Sequence, residues 1–81
     1  MDQKKFDKIT RDLIKHDRVT LEKSEALEYL RKSAKMAWSF DDRDCYCDLI
    51  DKIEDVTRMA DGAVTIFDSS MNLCGVGVQA A

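Results

Sequence analysis

Between Thr20 and Phe40 the apolar positions fall into two stripes around the helix axis instead of one. At about 100° per residue, Leu27, Leu30, Ala34, Ala37 and Trp38 share one line. Tyr29, Ser33, Met36 and Phe40 share an adjacent line. The polar remainder is a narrow arc of Glu25, Glu28, Arg31, Lys32 and Lys35. A surface helix buries one stripe. A helix with two is expected to be covered on two sides and to sit at the centre of the fold. The segment lacks Gly and Pro and is rich in Ala, Leu, Glu, Lys and Arg, which lose little rotamer freedom in a helix. Thr20 is the expected N-cap, with Val19 as the staple residue before it. Where the second stripe stays uncovered, Tyr29, Met36 and Phe40 become a partner-binding face.

The flanking segments are simpler. Phe6, Ile9, Thr10 and Leu13 line one face of a helix spanning about residues 2–15, with His16-Asp17-Arg18 as a short link to the central helix at 20–38. Ser39 or Asp41 is the expected cap of a third helix at 42–60, whose apolar face is Tyr46, Leu49, Ile50, Ile53, Val56 and Ala60. Asp41, Asp44, Asp48, Asp51 and Asp55 fall opposite that face. Gly62 supplies the left-handed residue that commonly ends a helix. From Ala63 the period changes. Ala63–Phe67 is a β-type run, Asp68-Ser69-Ser70 is turn chemistry, and Leu73–Val78 is a second, glycine-loosened run, so a hairpin over 63–78 is expected. A lone hairpin is marginal in water, so it is expected to pack on the helices or to pair at its edge. The expected fold is a mainly helical α+β domain, a three-helix bundle with a C-terminal β-hairpin, single over residues 1–81. Its core is Phe6, Ile9, Leu13, Leu27, Leu30, Ala34, Trp38, Leu49, Ile50, Ile53, Val56, Val64 and Ile66.

Charge adds an asymmetry to this picture. Residues 1–40 carry ten Lys/Arg against seven Asp/Glu, net +3, and residues 41–81 carry three against nine, net −6. The N-terminus shows no apolar run behind its charges, and no stretch reaches the roughly 18 apolar residues of a membrane span. A soluble, cytoplasmic protein with free thiols at its three cysteines is expected. The basic side chains of the first helix (Lys4, Lys5, Lys8, Arg11, Lys15) are interleaved with Asp2, Asp7, Asp12 and Asp17, which argues against a nucleic-acid surface.

Candidate chemistry is sparse. Cys45 and Cys47 point roughly 160° apart on a helix, so they cannot hold one metal ion, and no four-ligand zinc set is present. The segment from Asp41 to Glu54 lacks the central glycine and alternating oxygens of an EF-hand. His16, the single histidine, has no assignable acid partner. No catalytic residue, cofactor or metal is expected.

One segment carries a resemblance. Ala60-Asp61-Gly62-Ala63-Val64-Thr65-Ile66-Phe67-Asp68, followed by Leu73–Val78, is similar to the strand-turn-strand bearing the Asp-Gly-Ala motif of the diadenylate cyclase superfamily and its sensor relatives. The resemblance covers about a quarter of the chain and implies a nucleotide contact at Asp61, Gly62 and Ala63. The chain lacks a counterpart of the Arg-His-Arg-type motif that completes that family's site, so a working cyclase is not implied. The function expected from the residues is a small non-enzymatic protein, regulatory or accessory, that binds another protein. It would use Tyr29, Met36 and Phe40 together with Asp44, Asp48, Asp51 and Asp55. A homodimer is a further expectation; a degenerate nucleotide-binding segment is the alternative, and a nucleic-acid-binding regulator using Lys4, Lys5, Lys8, Arg11, Lys15 and Arg18 is a further one.

Overall fold

The computed structural model describes residues 1–68 and 76–81. The elements run α1 (Gln3–His16), β1 (Arg18–Glu22), α2 (Lys23–Ser39), α3 (Arg43–Arg58), β2 (Ala63–Asp68) and β3 (Val76–Ala80). The chain is α+β and mainly helical, as the periodicity predicts, and its two C-terminal strands pair as a hairpin. Ser69, Ser70, Leu73, Cys74 and Gly75, which fall in the expected turn and second run, lie outside the described residues.

The correction to the sequence reading is β1. Thr20 is not a helix cap but the centre of a strand, opposite Thr65, with the two hydroxyls 3.0 Å apart. Arg18-Val19-Thr20-Leu21-Glu22 alternates polar and apolar, and Val19 and Leu21 are the half-buried members. Pairing with β2 overrides the helical preference of Leu21 and Glu22. The link from α1 therefore leads into a sheet. Asp17, left-handed at φ 62°, turns the chain, and its carbonyl accepts from the Asp68 N–H at 2.8 Å. A short polar side chain tolerates that conformation better than most. The central helix starts directly after Glu22, which makes no side-chain cap bond. The orphan N–H of Lys23 instead donates to the Gly62 carbonyl at 2.9 Å.

The sheet is antiparallel in the order β1-β2-β3, so β2 is the middle strand. Val64 and Ile66 share a face with Val19, Leu21 and Val78 by register, and both are fully buried. α1 and α2 pack against β1 and β2, and α3 packs against β3. The core joins Phe6, Ile9 and Leu13 of α1, Leu30 and Ala34 of α2, and Leu49 and Val56 of α3 to those strand residues. On the other face, the Phe67 ring lies over Gly77, where any Cβ would collide with it.

The α2–α3 link shows how few residues can reverse the chain. The Asp41 N–H donates to the Trp38 carbonyl (3.0 Å) and the Asp42 N–H to the Ala37 carbonyl (2.9 Å). Asp41 is left-handed at φ 56°. This is a Schellman closure with aspartate in the place usually held by glycine. Asp42 then caps α3, its carboxylate accepting from the Cys45 N–H at 3.1 Å.

Candidate functional site

The two stripes of α2 have different fates. Tyr29 is buried, its ring stacked on Phe6 with centroids 4.8 Å apart, and its hydroxyl lies 2.9 Å from that of Thr10. It belongs to the seam with α1, and the expectation that it faces a partner is corrected. Further along the same stripe the cover stops. Lys5 pairs with Glu25 at 2.6 Å, and the Phe6 ring stacks on Tyr29 with its centroid 5.4 Å from the Lys32 ammonium, so these contacts of α1 with α2 run from Glu25 to Lys32 and stop short of Met36. Met36 is 39% exposed and Phe40 78%. They border an apolar groove of about 420 Å³ whose walls include Leu13, Leu30, Leu49 and Val76.

The first stripe faces α3, yet Trp38 is 62% exposed, not in the core as its size suggests. It sits in the last turn of α2, where the residue it meets on α3 is Tyr46, with ring centroids 5.0 Å apart. The indole covers Tyr46 from outside. With Arg31, Lys35, Ile50 and Ile53 the two rings line a groove of about 290 Å³. Leu27, Ile50 and Ile53, expected in the core, are partly buried against it.

Within α3, Asp44, Asp48, Asp51 and Asp55 lie opposite the apolar face, as their spacing predicts. Leu49 and Val56 point into the core and Tyr46, Ile50 and Ile53 towards α2. At helical spacing, Asp44, Asp48, Asp51 and Asp55 then occupy the flank turned away from α2. Because α3 packs on β3, the outermost strand, that flank overhangs the sheet edge. Asp44, Asp51 and Asp55 are exposed. Asp48 is half-buried, 3.4 Å from the Lys52 ammonium, and its second carboxylate oxygen is shielded without a hydrogen-bond partner. Asp41 is not part of the stripe: it lies in the turn, 3.5 Å from Arg43.

At the other end of α3, Asp61 is fully exposed and Gly62 has φ 138°. The Lys23 ammonium donates to the carbonyls of Met59 (2.7 Å) and Thr57 (3.2 Å) and lies 3.7 Å from the Asp61 carboxylate. What this arrangement does within the chain is satisfy orphan carbonyls at a helix end. Ala63 is the first residue of β2 and is exposed.

The remaining candidates are scattered. His16 is exposed in the last turn of α1. Cys45 is disulfide-bonded and Cys47 is an exposed free thiol, which corrects the expectation of three free thiols. Among the described residues no group of three acidic, His or Cys side chains is placed to hold a metal ion. No helix among them is long and apolar enough to cross a membrane. No protein-family model matches the chain, and comparison with curated proteins and with solved structures returns no match either.

Proposed function

We propose that this protein works by binding another protein, as a regulatory or accessory component without catalysis of its own. The observation that carries the reading is the end of α2. Met36, Trp38 and Phe40, three large apolar side chains within five residues, stand exposed there. Tryptophan and arginine are among the residues that dominate interface energetics, and Arg31 lies in the same groove as Trp38. The acidic flank of α3 adds a single-sign field that speeds association with a basic partner. The test compares the tagged chain with Trp38→Ala/Phe40→Ala and with Asp51→Lys/Asp55→Lys in capture of partners from the native lysate. A protein retained stoichiometrically by the parent chain and lost from both variants, with the helical circular dichroism unchanged, is the expected result. Equal recovery by all three would remove the reading.

A further inference from the structure

The two edges of the sheet are finished differently. In β1 the bonds flanking the ladder, Asp68 N–H to Asp17 O and Lys23 N–H to Gly62 O, set the alternation. Val19 and Leu21 face β2, and the backbone groups of Arg18, Thr20 and Glu22 face outward. That edge carries charges of both signs, and α1 runs alongside it with Lys4, Lys8 and Asp12. Charged side chains on an edge strand are a standard guard against further pairing.

Among the described residues β3 has no such guard. The Ala81 N–H donates to the Ala63 carbonyl at 3.1 Å, so residues 77, 79 and 81 bond to β2. The backbone N–H and C=O of Val78 and Ala80 therefore point out of the sheet. The strand, Val-Gly-Val-Gln-Ala, has no charged residue. Above it hangs the α3 flank with Asp44, Asp48, Asp51 and Asp55. Lys52 is held by Asp48 and leaves one carboxylate oxygen without a donor, and Arg58 is drawn to Glu54.

We infer that the β3 edge is a strand-addition site for an extended segment of a partner protein carrying Lys or Arg at every second position. The inference rests on the protein-binding reading above and gives the acidic flank its partner. The added strand makes main-chain bonds to Val78 and Ala80. Its side chains alternate between the two faces of the sheet. Those on the helix side come under the α3 carboxylates and are basic. Those on the other side continue the face of Gly77 and Gln79 and are small or uncharged. A second copy of this chain does not fit, because pairing β3 with β3 would bring two acidic flanks together, and the strand brings no cation of its own.

The experiment titrates the isotope-labelled full chain with a short peptide in which lysine alternates with threonine. The controls are the same peptide with glutamate for lysine, and one N-methylated at alternate residues. Binding is expected to move the Val78, Gln79 and Ala80 amides, to protect the outward amides of Val78 and Ala80, and to weaken as salt rises. Asp51→Lys/Asp55→Lys is expected to weaken it by about tenfold or more. Ala80→Pro, which removes an outward N–H and no ladder bond, should weaken it with the fold intact. Undisturbed β3 amides at millimolar lysine peptide, or equal binding of the glutamate or N-methylated peptide, would overturn the inference. So would a concentration-dependent dimer that already protects those amides. Continued capture of a partner sensitive to Trp38→Ala, alongside a silent β3, would sink this inference and leave the protein-binding reading standing.

Discussion

The first and second halves of α2 are built from the same kinds of residue and end in opposite states. In the first half Ala26, Tyr29 and Leu30 are buried, with α1 on one flank and the sheet beneath. In the second half only the inward Ala34 and Ala37 are buried, and Met36, Trp38 and Phe40 are exposed. Helical periodicity is equally clean in both. The difference lies in the neighbours: the contacts of α1 with α2 run from Glu25 to Lys32, and α3 meets the last turn with Tyr46, which cannot enclose an indole. An apolar stripe records which residues share a line. It does not record how far the covering element reaches.

Truncation should separate the two halves most sharply. Leu30→Ala removes a fully buried side chain where helices and sheet converge, and is expected to cost about 2–5 kcal/mol in urea unfolding. Phe40→Ala removes a larger side chain from an exposed site and should change stability by no more than about 0.5 kcal/mol. If the two variants unfold at similar denaturant concentrations, Phe40 is covered in solution and the contrast is wrong. A finer cut within the covered half is Tyr29→Phe. It keeps the stack on Phe6 and deletes the hydroxyl that meets Thr10. A loss of about 1 kcal/mol is expected. An unchanged midpoint would mean that the seam with α1 is held by the rings alone.

The same contrast explains what was legible in the sequence. The three helices, the change to β period at Ala63 and most of the core follow from spacing alone. Phe6, Ile9, Leu13, Leu49, Val56, Val64 and Ile66 are buried as expected. β1 was hidden because it has only five residues, no turn separates it from α2, and Leu21 and Glu22 are good helix formers. Its signal was the alternation from Arg18 to Glu22 with Val19 and Thr20 both β-branched. Of the residues expected to face a partner, Met36, Phe40, Asp44, Asp51 and Asp55 are exposed, and Tyr29 is not. Its phenol finds Thr10 nineteen positions away, a contact that no local pattern announces. The disulfide at Cys45 was missed because the compartment argument for free thiols says nothing about which side chains the fold brings together.

The smallest expected effect lies at the start of the covered half, where Lys5 ties α1 to α2. Its ammonium donates to the Glu25 carboxylate, and that bond, with the attraction of the same charge, raises the Lys5 pKa above its ordinary value. The folded chain therefore holds this proton more tightly than the unfolded one. The stabilisation is complete below the unfolded pKa of about 10.4 and is lost as pH rises through the higher folded value. Because the pair is solvated, the effect is small and screened by salt. Between about pH 9 and pH 11 the thermal midpoint of the parent chain should fall slightly more than that of Lys5→Met or Glu25→Gln, and the excess should shrink in high salt. Parallel falls in all three would show that the link does not hold α1 in place, leaving the Phe6–Tyr29 stack and the Thr10 hydroxyl to fix where the cover over α2 begins.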